Sequence, residues 1–144
     1  MESYPARILV ASDGSDASAR ALEHAAQLAA AVDTELHLVV VGLISPWTHP
    51  DAMSDNQLDR IREETRDRLS HEKQKLEKMG VSEVHAHERL GKVGTEIVRL
   101  SEEIDVGTIV IANRGMGSLK RMLLGSDAED VVRHASCAVV VVRG

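Results

Sequence analysis

Three glycines, two serines and three basic residues cluster in one segment between two apolar runs. The segment is "IANRGMGSLKRMLLGSDAED", residues 111–130, and it includes Gly115, Gly117 and Gly125. Glycines allow backbone N–H groups to approach a phosphate without an intervening side chain. A helix that begins near Ser126 would add N–H donors, a partial positive charge and a hydroxyl. The segment therefore has the residue types for phosphate binding at both of its ends.

The same residues also fit simpler explanations. Ser126 followed by Glu129 matches a helix capping box, and the glycines can be ordinary loop residues. The spacing is not that of a P-loop, and Lys120 stands where the dinucleotide-binding pattern requires its third glycine. From the residues alone, both interpretations remain open: phosphate binding, and a purely structural role as a helix cap and loop.

The composition of the chain limits the classes of protein to which it can belong. The chain has 144 residues, of which 43% are hydrophobic and 28% are charged, so one globular domain over residues 1–144 is expected. Tyr4 and Trp47 are the only aromatic residues, which leaves almost nothing for stacking nucleic-acid bases. The formal net charge of −6 also argues against nucleic-acid binding.

Cysteine usage and the lengths of the apolar runs indicate the cellular compartment, which we expect to be the cytoplasm. The chain has one cysteine, Cys137, so no disulfide can form within it and a reducing compartment fits. The N-terminal "MESYPARILVAS" has no long apolar stretch after a basic start, so no signal peptide is expected. No apolar run approaches the roughly 20 residues of a membrane span.

Strand and helix patterns alternate along the chain. Five runs read as strands: "RILVAS", "ELHLVVVG", "SEVHAHERL", "VGTIVIA" and "AVVVV". Helical patterns lie between them, the first capped by Ser15 or Asp16 and the last near "DAEDVVRHA". Continuous apolar strands separated by helices predict a parallel sheet covered on both faces. The expected fold is a single doubly wound α/β domain with a five-stranded parallel sheet.

The second helical segment, residues 54–79, is long and polar. Seven acidic and seven basic residues surround a thin apolar stripe, which predicts a solvated outer face. The stripe consists of Leu58, Ile61, Leu69, Leu76 and Met79. Gly80 is expected to end the helix.

Two histidines in the third strand are the only residues that suggest a metal ligand. His85 and His87 would point to the same side of the strand. No third or fourth ligand stands out near them in the sequence, so we predict exposed strand histidines and no metal site.

In a doubly wound sheet, ligands bind at the carboxyl ends of the strands, where the strand order reverses. Two turns meet there if the first and fourth strands are neighbours. They are "SDGSDAS" after the first strand and "NRGMGSLKRMLLGS" after the fourth. The candidate site is therefore formed by these two turns.

These residues in this order resemble the universal stress protein family, and in particular its ATP-binding branch. The resemblance extends from "RILVASDGSDASARALEHA" to "LLGSDAEDVVRHASCAVVVVRG". The family's nucleotide motif is Gly-x2-Gly-x9-Gly-Ser/Thr, which Gly115, Gly125 and Ser126 match. Its first glycine is replaced by Ala112. The added methyl is tolerated if the local φ is negative and weakens binding if φ is positive.

The resemblance implies the strand order 3-2-1-4-5 and a set of nucleotide-binding residues. Asp13 matches the acidic residue near the ribose, although a turn or capping role is the simpler alternative for it. The other matching positions lie at the ends of the strands, in the phosphate turn and at the start of the last helix: Ala11, Ser12, Val40, Val41, Ala112, Arg114, Gly115, Met116, Gly117, Gly125, Ser126, Asp127 and Ala128.

Asp127 is a second departure from the family pattern, which has an apolar or small residue there. Its carboxylate can satisfy the helix N-terminus, repel a distal phosphate, or reach a Mg²⁺ ion carried by the nucleotide. These alternatives leave ATP, AMP and cyclic AMP open as the preferred ligand.

The resemblance implies a stress-response regulatory protein that binds an adenine nucleotide, with ATP as the first expectation. No catalytic residues are predicted, and ATP hydrolysis is expected to be slow at most. One alternative is a protein of this fold that acts by protein contacts without nucleotide. A remote alternative is an AMP-forming ligase, but in "SDGSDA" Asp13 and Ala17 depart from the ligase loop.

The last strand predicts association with a second copy. It is strongly apolar and would lie at a sheet edge, which is a hazard unless it is paired. The family pairs this edge across a two-fold axis, so a homodimer through residues 138–143 is expected. The partner that receives the regulatory signal is unknown.

Overall fold

The computed structural model describes residues 7–44, 53–114 and 124–143. Within these ranges five strands alternate with four helices. In chain order they are β1 (Arg7–Ala11), α1 (Asp16–Val32), β2 (Glu35–Leu43), α2 (Asp55–Lys78), β3 (Val84–Gly91), α3 (Val93–Glu103), β4 (Thr108–Ala112), α4 (Ser126–His134) and β5 (Ala138–Val142).

The five strands form one parallel sheet in the order β3-β2-β1-β4-β5. This confirms the predicted doubly wound α/β fold. The chain leaves β1 toward β2 on one side and returns beside β1 through β4 on the other. The carboxyl ends of β1 and β4 therefore form the point at which the strand order reverses.

The core has two aliphatic layers, one on each face of the sheet. Residues such as Ile8, Leu22 and Leu76 pack between the sheet and helices α1 and α2. Leu9, Ile97 and similar residues fill the layer beneath α3 and α4. This arrangement explains why the strands are nearly continuous apolar runs. Among the described helices, none is both long and apolar enough to cross a bilayer.

Two of the four described helices begin with a side-chain cap, whereas α3 and α4 have none. Ser15 caps α1, and Ser54 and Gln57 form a capping box at α2. At α4 the predicted capping box is wrong: Gly125 occupies the N-cap position, and no side-chain hydrogen bond caps the helix. Because the helix begins at Ser126, that hydroxyl lies one residue inside the position that capping requires.

The buried face of α2 is more polar than its sequence predicts. Leu76 is fully buried as expected, but Met79 is 40% exposed because it lies beyond the last helical turn. Thr65 and Glu72 are buried instead. The outer-face interpretation is therefore wrong for Glu72. Gly80 ends the helix as predicted, with φ of +98°.

The histidines of β3 are not exposed, contrary to the prediction. His85 and His87 are half-buried, because the β2–β3 register places His37 directly opposite His85. The His37 ring stacks on both neighbours. Burial, together with the charges of His85 and His87, lowers the pKa of His37 to about 4. The buried imidazole is therefore neutral near pH 7.

Candidate functional site

A cavity of about 580 Å³ opens at the carboxyl ends of β1, β2 and β4. Its position is the one expected for ligand binding in a doubly wound sheet. Its volume lies within the roughly 300–1,000 Å³ typical of small-molecule sites. The cavity is therefore the candidate functional site.

The turn after β1 presents Asp13 at the cavity. The Asp13 Oδ1 atom accepts a hydrogen bond from the Ser15 backbone N–H at 2.9 Å. Gly14 follows with φ of +83°, a conformation that suits glycine. The Arg68 guanidinium donates to the Asp13 carbonyl oxygen. These contacts orient the half-buried carboxylate at the cavity wall.

A buried polar network supports this turn from below. Ser12 Oγ donates to Glu72 Oε1 at 2.5 Å and accepts from the Gly14 N–H at 3.2 Å. The Ser12 and Ser18 hydroxyl oxygens lie 3.0 Å apart. Lys75 Nζ lies 2.8 Å from the other Glu72 oxygen. Because Ser12 and Ser18 also line the cavity, the network connects α2 to the site.

Arg68 is a site residue that sequence reasoning missed. It lies on α2, one helical turn before Glu72, and lines the cavity beside the β1 turn. In the sequence it is one of seven basic residues on a polar helix, so its type carries no specific signal. Only the packing of α2 against the sheet identifies it.

The end of β4 settles the question raised by Ala112. Positive φ among described non-glycine residues occurs at Asp33 and Asp105, so Ala112 does not have the strained conformation. Its side chain is 7% exposed and belongs to the core layer under α1 and α2. The methyl that replaces the family's glycine hydrogen is therefore accommodated.

Gly125 is needed because the backbone at the end of β4 lies close to it, and not because of its own backbone angles. Its φ is −63°, which any residue adopts. Its N–H donates to the Asn113 carbonyl oxygen at 2.8 Å. A Cβ at this position would lie 3.1 Å from that oxygen and 3.4 Å from Arg114 Cα. The absence of a side chain thus allows α4 to begin directly against the end of β4.

Asp127 adds negative charge at the α4 side of the cavity. Asp127 lines the cavity and is exposed. Partial burial, followed by the nearby carboxylates of Asp130 and Asp13, raises its pKa above the ordinary value of 3.8. Lys92 opposes this shift. The electrostatic surroundings therefore disfavour further negative charge at this position.

Most of the predicted site residues that the structure describes come together in the cavity wall. Val40 does not line it, because strand alternation places its side chain on the opposite face of β2 from Val41. Gly115, Met116 and Gly117 lie outside the described residues. The predicted residues found in the wall are Ala11, Ser12, Asp13, Val41, Ala112, Arg114, Gly125, Ser126, Asp127 and Ala128.

The cavity also has an apolar wall, of which sequence reasoning assigned only Val41. It lies between β2, β4 and α3 and consists of Val39, Val41, Leu43, Val93, Ile97 and Ile111. The sequence indicates this wall through the alternation of side chains along β2, in which the odd-numbered residues face α3. One side of the cavity is therefore apolar, and the other carries charges and helix N–H groups.

The fold and this cavity define an α/β domain with a ligand-sized site at the switch point of a parallel sheet. The model of the universal stress protein family matches residues 6–143. The chain belongs to this family.

Relatives support the same assignment over nearly the whole chain. Universal stress protein YxiE of Bacillus subtilis is 34% identical over 146 residues, covering 95% of this chain and 98% of the relative. The structure of UspA from Lactobacillus plantarum has a TM-score of 0.83 at 25% identity and covers 99% of both chains. An Archaeoglobus fulgidus universal stress protein, solved in complex with dAMP, has a TM-score of 0.65 at 26% identity. That match covers 94% of this chain and 96% of the Archaeoglobus chain.

Proposed function

We propose that this protein binds an adenine nucleotide, ATP in the first instance, in the cavity at the switch point and acts as a regulatory stress-response protein. The observation that carries the proposal is the composition of the cavity wall. An apolar side, an oriented carboxylate, two arginines and the start of a nine-residue helix face one cavity. A nucleotide has a matching apolar base, a sugar diol and a phosphate group.

The wall suggests how the parts of the nucleotide would be arranged. The base would lie against Val41 and its apolar neighbours, where a flat aromatic ring replaces water. The ribose hydroxyls would donate to Asp13, whose carboxylate is already oriented by Ser15. The phosphates would face Arg114 and the N-terminus of α4, which offers N–H donors and partial positive charge.

The cavity wall also bears on how many phosphates the bound nucleotide carries. The Archaeoglobus relative was solved with dAMP, a nucleoside monophosphate. Asp127 and Asp13 both place carboxylates on the cavity of the present chain. A Mg²⁺ ion carried by ATP would offset their repulsion, whereas AMP or cyclic AMP would need no such ion.

We propose binding rather than rapid catalysis as the activity, with ATP hydrolysis slow at most. In a regulatory role, the nucleotide-bound and nucleotide-free forms must interact differently with a partner protein. That partner is not identified. The single cysteine of the chain fits a cytoplasmic location.

A thermal-shift panel tests which nucleotide is bound. Purified protein is melted with ATP, AMP and cyclic AMP, each with and without Mg²⁺, and with GTP as a control for the base. A bound ligand raises the melting temperature by mass action. We expect a shift with ATP and Mg²⁺ that exceeds the shift with GTP. No shift with any adenine nucleotide would favour the alternative of a family member that acts by protein contacts alone.

A further inference from the structure

A cluster of histidines lies at the opposite end of the sheet from the cavity. Glu35 and His37 are the first and third residues of β2, and His85 is the second residue of β3. The parallel register places His37 directly across from His85. Because the cavity is at the carboxyl ends of the strands, this cluster near their amino ends is a separate feature.

His37 is the buried centre of the cluster. It is 6% exposed, and its Nδ1 atom lies 2.9 Å from His87 Nε2. Its Nε2 atom is buried and has no hydrogen-bond partner among the described residues. A buried polar atom without a partner costs free energy, so such an atom in a native structure is expected to meet an ordered water molecule or an ion.

Glu35 and His85 provide further ligand atoms beside it. Glu35 Oε2 pairs with Arg7 Nε at 2.9 Å, while Oε1 lies 3.5 Å from His85 Nε2. One ligand atom each from Glu35, His37 and His85 lie within 4.8 Å of one another. Arg7 therefore fixes the carboxylate while its second oxygen faces the histidines.

We propose that Glu35, His37 and His85 bind one divalent transition-metal ion of the Zn²⁺ class. Imidazole nitrogens with one carboxylate are a ligand set that Zn²⁺ accepts, whereas Mg²⁺ and Ca²⁺ prefer oxygen ligands. In the tautomer in which the His37 Nδ1–H donates to His87 Nε2, the His37 Nε2 atom has its lone pair free to coordinate the ion. This hydrogen bond also fixes the ring orientation, as partners of metal-bound histidines do.

A fourth coordination position is available to water or to a nearby carboxylate. Glu83 Oε1 lies 3.5 Å from His85 Nε2 and is mostly exposed, so it can approach an ion bound there. The other explanation of the cluster is a stack of histidine rings that packs β2 against the edge strand β3. Metal titration separates the two explanations.

The test uses the untagged full-length chain after treatment with EDTA and without nucleotide. Zn²⁺ binding is measured by calorimetry, and Co²⁺ binding by the visible absorption of its d–d bands. We expect one ion per chain and Co²⁺ bands typical of nitrogen and oxygen ligands in low coordination. Weak, non-stoichiometric binding would overturn the proposal.

Two variants at accessible positions locate the site without removing the buried His37. Glu35→Gln and His85→Ala should each weaken Zn²⁺ binding by about tenfold or more. The control His71→Ala removes an exposed histidine on α2 and should leave the affinity unchanged. Melting each variant in EDTA identifies any that fails to fold. Folded Glu35→Gln and His85→Ala proteins that bind Zn²⁺ as tightly as the parent would refute the site.

Discussion

If the cavity binds a nucleotide as we propose, we expect Asp127 to have the strongest influence on which nucleotide it accepts. Asp127 stands in the first turn of α4, where a carboxylate stabilises the helix itself. The same carboxylate lines the cavity together with Asp13. Stabilisation of the helix and repulsion of a phosphate thus come from one charge.

Replacing Asp127 by Asn removes this charge and tests whether it repels a phosphate. We expect Asp127→Asn to bind Mg²⁺-free ATP several-fold more tightly and AMP nearly unchanged, because a partly exposed charge acts weakly and mainly on distal phosphates. The control is Glu129→Gln, which removes an exposed charge from the same helical turn without altering the cavity wall. Calorimetry provides the affinities. Equal or weaker binding of Mg²⁺-free ATP by Asp127→Asn would contradict this repulsion.

The raised pKa of Asp127 gives this repulsion a pH dependence. The carboxyl group ionises above the ordinary value of 3.8, so its negative charge appears at a higher pH than that of a typical aspartate. As pH rises through that range, ATP affinity of the parent protein should fall relative to Asp127→Asn. The ratio of the two affinities, measured across acidic pH, should change in this direction. A constant ratio would contradict the assignment.

Ala112 shows why a departure from a motif cannot be judged from sequence. The sequence shows an added methyl but neither the backbone angle nor the direction of the side chain. In the structure Ala112 ends a strand, and its methyl packs in the core. Both quantities are set by tertiary packing.

At the scale of elements, the sequence patterns predicted the five strands and four helices that the structure describes, but not the polar residues that α2 buries. Glu72 and Arg68 look like ordinary charges of a solvated helix. They become part of the site only because the packing of α2 on β2 and β3 brings Glu72 to Ser12 and Arg68 to Asp13. Likewise, His37 joins His85 through the β2–β3 register, which no local pattern encodes.

Glu72 provides a test of how α2 supports the site. It is fully buried, accepts from Ser12 and lies beside Lys75. Glu72→Ala leaves both groups without their partner and should lower the free energy of unfolding by about 3 kcal/mol. Urea denaturation measures this change.

Two further variants control for the helix and for the hydrogen bond. Glu77→Ala, at an exposed position of the same helix, should cost less than about 0.5 kcal/mol. Glu72→Gln keeps an acceptor for Ser12 and should lose less stability than Glu72→Ala. A similar small loss in all three variants would show that the network does not stabilise the fold.

At the scale of the whole molecule, β5 provides the open edge through which we propose the homodimer. In the described sheet it pairs with β4 alone, and Val139 to Val142 are half-exposed. Light scattering at micromolar concentration should give the mass of two chains. Val140→Lys should shift the protein toward one chain, because a lysine on an edge strand opposes pairing. The control Ala31→Lys alters an exposed position of α1 and should remain dimeric.

The two ends of the sheet have different proposed roles, so they can be tested independently. The cavity lies at the carboxyl ends of the strands, and the histidine cluster lies at the amino ends of β2 and β3. A nucleotide titration with Mg²⁺ but no Zn²⁺ addresses only the first. Loss of the metal site would leave the nucleotide proposal unaffected.

The most direct measurement is calorimetric titration of Mg²⁺-ATP and of AMP into the parent protein, Asp13→Asn and Asp16→Asn. Asp13 lines the cavity, whereas Asp16 is exposed at the start of α1 outside the cavity wall. We predict one adenine nucleotide per chain for the parent and for Asp16→Asn, with binding to Asp13→Asn weakened by about tenfold or more. Absence of binding to the parent, or unchanged binding by Asp13→Asn, would contradict nucleotide binding at this site.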